Sequence, residues 1–277
     1  MTDQPAVDPQ AFKQFERDGY SSVADEYDKF AAVVLAQPND AMLDAVGTKP
    51  GTRLLDVACG PGWLSAAAVK RGAIVTTLDF AEKMVAIARV RCPEVELHTA
   101  DAENLPFEAG RFDAVVCNLG LLHFPAPERA IAEAFRVLTP GGSYAFTCWT
   151  PLGRNPFMDL ILGSVRAHGT LDVDLPAGPP LFRFGDPAEC EQALRAAEFV
   201  SVSTREVPMV WPFFTAEDVV PQVLTATARL GSILMKQTPE QRRKIEGAIV
   251  EGAKRYATDR GVEIPTAVVL AVGLKPQ

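Results

Sequence analysis

Apolar residues in this chain come in short runs, separated by longer stretches in which they recur every three or four positions. Leu54-Leu55-Asp56-Val57, Ala73-Ile74-Val75-Thr76-Thr77-Leu78, Val95-Glu96-Leu97-His98-Thr99-Ala100 and Phe112-Asp113-Ala114-Val115-Val116-Cys117-Asn118 are short and rich in apolar or β-branched residues. Runs of this kind read as strands of a parallel sheet buried on both faces. Between them the spacing predicts a helix from near Pro61 to Gly72, a second over Ala81 to Arg91 and a third over Ala130 to Leu138. Gly142 to Trp149, Phe199 to Val210 and Pro265 to Gly273 read as three later strands. Alternating strands and helices predict an α/β chain.

Three segments fall outside this alternation. Tyr20 to Ala36 is patterned as an amphipathic helix. Pro151 to Gly185 is rich in Pro and Gly and includes Pro176-Ala177-Gly178-Pro179-Pro180, which reads as a stiff loop. Thr215 to Thr258 reads as two helices split at Thr238-Pro239, with Thr238 as cap and Pro239 in the first turn. At 277 residues one domain is expected. Its expected parts are a helical lid over 10–47, a ligand-binding core over 48–150, a substrate cap from 151–185 and 213–261, and completion of the sheet by 186–212 and 262–277.

The densest chemistry lies at the end of the first strand. There Asp56 is followed by Ala58, Gly60 and Gly62 before apolar residues resume at helical spacing. Ligands of open parallel sheets bind outside the carboxyl ends of the strands, and glycine lets a turn bend sharply under a ligand. A dinucleotide loop carries a third glycine and holds a diphosphate on the helix N-terminus. Here Ser65 stands at the third position, and Asp56 brings negative charge to the strand tip. That favours a ligand with a cationic end. S-adenosylmethionine, with an ammonium, a sulfonium and no phosphate, fits. Asp79 ends the second strand, where a carboxylate suits the two hydroxyls of a ribose, and Asp101-Ala102-Glu103 follows the third.

With Asp56, Ala58, Gly60 and Gly62 in the pattern Asp-x-Ala-x-Gly-x-Gly, and acids at three successive strand tips, the chain resembles the class I S-adenosylmethionine-dependent methyltransferases. From Tyr20 to Trp149 it is similar to their small-molecule branch, related to the ubiquinone and menaquinone C-methyltransferases. The resemblance implies a Rossmann-like, seven-stranded, mostly parallel sheet in order 3-2-1-4-5-7-6. Its last strand would be antiparallel, and helical insertions would form a cap. It also implies S-adenosyl-L-methionine as cofactor, with Asp79 on the ribose, Asp101 and Ala102 on the adenine beside Glu103, and Asn118 at the methionine end. Phe80 and Met84 either sandwich the adenine or simply pack. Tyr20 and Tyr27, seven residues apart, either touch the methionine end or belong to the core. His123 is placed for a general base, yet a structural or cofactor-shell role stands beside that reading. No other catalytic residue is assigned.

Composition narrows the partners. The net charge is −8 and the basic residues are scattered, which disfavours nucleic acid and anionic membranes. Five cysteines without C-x-x-C spacing argue against a disulfide framework or a zinc site, and no metal is expected. Met1 to Asp8 lacks a basic, apolar leader, and no apolar run approaches the ~18 residues of a membrane span, so a cytoplasmic location is expected. The expected partner is a small-molecule methyl acceptor. Two alternatives stand beside this reading: a cofactor-binding protein without transferase activity, and an NAD-linked oxidoreductase.

Overall fold

The computed structural model describes residues 7–277; residues 1–6, and with them most of the expectation about a leader, lie outside the described residues. Strands β1 (Arg53–Val57), β2 (Ile74–Asp79), β3 (Glu96–Thr99), β4 (Phe112–Asn118) and β5 (Leu138–Trp149) alternate with helices α4 (Trp63–Lys70), α5 (Glu82–Arg91) and α6 (Pro127–Val137). Before them lie α1 (Pro9–Glu26), a π-helical turn over Tyr27–Ala31, α2 (Ala32–Leu35) and α3 (Asn39–Ala45). After them come α7 (Pro156–His168), α8 (Pro187–Ala196), β6 (Val200–Phe213), α9 (Val219–Ala226), α10 (Ala228–Met235), α11 (Pro239–Ala253), β7 (Ala257–Thr258) and β8 (Gly261–Leu274).

The strand order is β3-β2-β1-β4-β5-β8-β6. β1 to β5 are parallel, and β8 runs antiparallel to both β5 and β6. This is the expected order and polarity, with one correction. Among the described residues there are eight strands rather than seven, because the two-residue β7 turns back onto the start of β8. Side chains alternate across the pleat, so neighbouring residues serve opposite layers. Leu54, Val116, Ala145 and Val268 face a layer containing Leu64, Phe157 and Ile249. Leu55, Val115, Phe146 and Val269 face one containing Ile131 and Leu194. That two-sided burial explains why the central strands β1, β2 and β4 read as largely apolar or β-branched runs, while the edge strand β3 does not.

Three local expectations need amendment. Pro151–Gly185 is not all loop, because α7 fills 13 of its residues. The Asn155 side chain accepts from the Met158 N–H, Pro156 takes the first turn, and Phe157, Met158, Leu160, Ile161 and Val165 form the buried face. The flanking prolines hid that periodicity. Thr215–Thr258 holds three helices, since Thr227 breaks the first and caps α10 through the Gly231 N–H. The break at Thr238-Pro239 falls where expected, with Gln241 completing a reciprocal cap. The N-terminal helix starts at Pro9, earlier than expected, capped by Asp8.

Candidate functional site

Strand order reverses between β1 and β4, and ligands of such sheets occupy the crevice at that point. Val57 pairs with Leu78 and Asp79 with Thr99, so the loops after β1, β2 and β3 share one carboxyl edge. The loop after β1 takes left-handed backbone at Ala58 (φ 57°), Gly60 (φ 53°) and Gly62 (φ 84°). The two glycines differ in purpose. A Cβ on Gly62 would come within 3.1 Å of the Ala88 Cβ, so Gly62 lets α5 pack close. A Cβ on Gly60 would meet only Tyr27, at 3.9 Å, and would project into the space above the loop.

Asp56 is 1% exposed and accepts from Ser65 Oγ at 2.6 Å. Burial pushes its carboxyl up to about 7 against the opposing Ser65 bond. A cation beside it would restore the ionised form. Ser65, read from the sequence only as a missing glycine, is thus the partner of the strand-tip acid. Asp79 ties two loops together. One oxygen accepts the Gly60 N–H and the other the Ala81 N–H, each at 2.9 Å. Burial raises its carboxyl above the usual range while those backbone bonds pull it down. Each oxygen keeps a lone pair for a ligand hydroxyl.

Asp79, Phe80, Asp101, Ala102 and His123 line a cavity of about 270 Å³ at the tips of β2 and β3, with Lys13 and Arg17 of α1 across its mouth. Asp101 sits at the rim, accepting Lys13 Nζ at 2.6 Å and the Glu103 N–H at 2.9 Å. Two expected residues are not among those lining this space. Glu103 is buried and braces the start of α6, accepting the Ala126 N–H at 2.6 Å and Lys13 Nζ at 2.5 Å. Met84, 1% exposed, packs with Ala24 and Ala81 under α1.

A second, smaller space of about 50 Å³ lies among Asp56, Ala58, Gly60, Trp63, Asn118 and Tyr27. Asn118 is held by its own bonds: it donates to the Leu35 carbonyl at 2.8 Å and accepts from Thr147 Oγ1 at 2.5 Å. A third cavity, about 140 Å³, lies under the cap, walled by Leu122, Trp149, Phe157, Trp211, Leu230 and Tyr20. Phe157 and Trp211 stack there at 4.4 Å between centroids. His123 borders both the first and third cavities, and Tyr27 borders both the second and third.

Glu16, Lys13 and Arg229 also belong to this neighbourhood, and sequence reasoning missed them. His123 Nδ1 lies 2.8 Å from Glu16 Oε2, and its Nε2 lies 3.0 Å from the Tyr20 hydroxyl. Only the side-chain polarity of an otherwise apolar helix face hinted at α1. Its residues meet His123 across more than 100 positions, which no local pattern records.

The family described as a methyltransferase domain matches residues 55–146, the part that builds β1 to β5. An uncharacterized protein of Mycobacterium tuberculosis is 35% identical over 159 residues, 56% of this chain and 56% of that protein. Over these first curated relatives the match thus spans about half their length. A demethylmenaquinone methyltransferase from Clavibacter sepedonicus is 32% identical over 211 residues, 68% of this chain and 83% of that protein. Among solved structures, the phosphoethanolamine N-methyltransferase 2 of Haemonchus contortus shares the fold. It is 20% identical with TM-score 0.52, over 86% of this chain and 52% of that one. The oxidoreductase alternative gains nothing from the geometry, since the position of a third glycine instead supplies the hydroxyl that binds Asp56. The three acid-bearing strand tips, the left-handed loop and the curated relatives agree: this chain belongs to the class I S-adenosylmethionine-dependent methyltransferases, related to the menaquinone C-methyltransferases.

Proposed function

We propose that this protein transfers a methyl group from S-adenosylmethionine to a small, largely apolar or aromatic acceptor, at oxygen, nitrogen or carbon, held under the cap. One observation carries the reading. His123 borders the first strand-tip cavity and the cap cavity, Tyr27 borders the second strand-tip cavity and the cap cavity, and Ala58 borders both strand-tip cavities, so the three spaces adjoin one another in pairs.

In this arrangement the 270 Å³ cavity takes the adenosine, with Asp79 on the ribose and Asp101 and Ala102 at the adenine. The 50 Å³ space takes the methionine end, with its ammonium toward Asp56. The methyl group then points at the junction. Methyl transfer from a sulfonium is an in-line displacement. Holding the acceptor in line and in contact supplies ~7 kcal/mol or more of the barrier. The aromatic walls of Trp149, Phe157 and Trp211 exclude water, which strengthens the electrostatics of the transfer. Residues 10–47 act as the lid, 48–150 as the cofactor core and the segments 151–185 and 213–261 as the cap. A small-molecule acceptor, no nucleic-acid partner and a cytoplasmic setting fit the charge of −8 and the lack, among the described residues, of a helix long and apolar enough to cross a membrane.

The test is a labelled-methyl screen over phenols, amines, carboxylates and quinone precursors, with demethylmenaquinone included because a relative carries that name. Transfer to at least one small acceptor is expected. If the protein binds S-adenosylhomocysteine yet transfers to none, the reading as a cofactor-binding protein without transferase activity replaces this one.

A further inference from the structure

We propose that Tyr20, His123 and Glu16 form a proton relay serving the methyl acceptor, and that the acceptor is therefore a flat aromatic or enolic hydroxyl compound. The inference deepens the transferase reading and rests on it. Glu16 is 1% exposed in the wall of an apolar cavity, and a carboxylate there is costly unless paired. Its partners are His123 Nδ1 at 2.8 Å and, more distantly, Arg229 Nη1 at 3.8 Å. An ionised Glu16 can only accept, so Nδ1 carries the imidazole proton and Nε2 is left to accept. The group facing Nε2, at 3.0 Å, is the Tyr20 hydroxyl, which donates to it. Burial, with Tyr27, Glu16 and Asp79 nearby, holds the Tyr20 phenol well above its ordinary range, so it keeps that proton.

The consequence is directional. With its hydrogen committed to His123, Tyr20 offers only a lone pair to whatever occupies the cavity. The complement of a lone pair is a donor, and a hydroxyl is the donor that gains most from giving up its proton as it attacks, since a neutral amine already attacks through its own lone pair. The aromatic walls favour a flat ring. Trp211, 3% exposed, lines the same cavity, and its indole N–H is buried without a partner.

The step balances. Forming the acceptor oxygen–methyl bond breaks the methyl–sulfur bond, and that bonding pair stays on sulfur, which becomes neutral. The acceptor proton passes to Tyr20 Oη as the Tyr20 proton passes to His123 Nε2. The positive charge lost at sulfur reappears on the imidazolium, beside the Glu16 carboxylate. Tyr20 touches the acceptor and is the catalytic residue here; His123 and Glu16 are positioning residues. The charged and titratable groups around His123 include Glu16 and Tyr20 on α1, Asp79 at the β2 tip and Arg229 on α10, with Lys13 and Arg17 of α1, Glu82 of α5 and Asp101 lining the cavity that His123 borders.

Umbelliferone, a flat phenol whose anion has its own absorbance band, tests this in protein saturated with S-adenosylhomocysteine. The bound phenol should ionise about one pH unit or more below the free phenol. That shift should vanish in Tyr20→Phe, His123→Gln and Glu16→Gln. With S-adenosylmethionine, umbelliferone methylation at neutral pH should fall about 100-fold in His123→Gln and recover as pH rises and the free phenolate grows. The aminocoumarin of the same shape should be a poor acceptor in every form. Umbelliferone that fails to bind, binds with unshifted ionisation, or is methylated equally by His123→Gln overturns the relay. Calorimetry separates the two readings. Loss of S-adenosylhomocysteine binding in the unaltered protein sinks the transferase reading itself. Retained binding, with transfer to amines alone, sinks only the relay.

Discussion

The Lys13 ammonium on α1 donates to Asp101 Oδ2 at 2.6 Å and so fastens the N-terminal helix across the tip of β3. Asp101 is the acid expected to meet the adenine amine, and under the proposed function the latch of the lid and the contact to the cofactor would share one carboxylate. The side chains are 25% and 43% exposed, which limits the pair to ~0–1 kcal/mol. Lys13 also donates to the buried Glu103, so Lys13→Gln should release the lid at some cost in stability while the sheet stays folded. Stopped-flow binding of S-adenosylhomocysteine should show association about twofold to fivefold faster. An unchanged association rate would mean that α1 does not gate the cavity.

Asp79 holds two loops together and is proposed to bind the ribose, and substitutions separate the two roles. Removing its carboxylate leaves the Gly60 and Ala81 N–H groups without partners, so Asp79→Ala should lower stability as well as binding. Asp79→Asn keeps one acceptor oxygen for the backbone and removes the charge. Calorimetry on that variant should show S-adenosylhomocysteine binding weakened by ~1.5–3 kcal/mol, or about tenfold to a hundredfold. Undiminished affinity in the folded variant takes Asp79 off the ribose.

If Asp56 faces the ammonium of the cofactor as proposed, affinity should depend on pH. Burial raises its folded carboxyl to about 7 from the ordinary 3.8. Without ligand, the folded chain binds a proton there that the unfolded chain does not. That contribution to stability is complete below the unfolded value and is lost as pH rises through about 7. A cationic ligand has the opposite dependence, since it favours ionised Asp56. Affinity for S-adenosylhomocysteine should fall as pH drops below about 7, by at most roughly tenfold per unit. Asp56→Asn should flatten that profile, and a profile unchanged by the substitution would separate Asp56 from the ammonium.

Gly60 is the place where a side chain should do most harm at least cost to the fold. Its φ of 53° is unfavourable for a β-branched residue, and among the described residues beyond its chain neighbours an added Cβ would approach Tyr27 Cε1 alone, at 3.9 Å. Gly60→Val should abolish S-adenosylhomocysteine binding while the far-ultraviolet circular dichroism keeps the signature of the sheet. Full binding in that variant would mean that the loop does not touch the ligand.

The strand tips were readable because Asp56 and Asp79 each follow apolar or β-branched residues of a buried strand, and Asp101 follows the next extended segment, all local signals. Asp56, Asp79 and Asp101 could be placed at one edge from sequence, as could Thr238-Pro239 at a helix start. What failed to show was orientation and distance. Met84 and Glu103 lie within a few residues of the cavity but turn away from it, Met84 into packing and Glu103 toward Ala126. Glu16 and Lys13 reach their partners across roughly a third of the chain, through the docking of α1. The buried face of α7 was masked by the prolines and glycines around it, although its apolar spacing was there to be counted.

The account stands or falls on which nucleoside lies across the tips of β1, β2 and β3. Titration calorimetry of one protein preparation with S-adenosylmethionine, S-adenosylhomocysteine and NAD decides it most directly. Saturable binding of both sulfur ligands, and none of NAD, is the predicted result. Binding of NAD with no heat from either sulfur ligand would contradict the assignment of Asp56, Asp79 and Asp101 as a methyl-donor site.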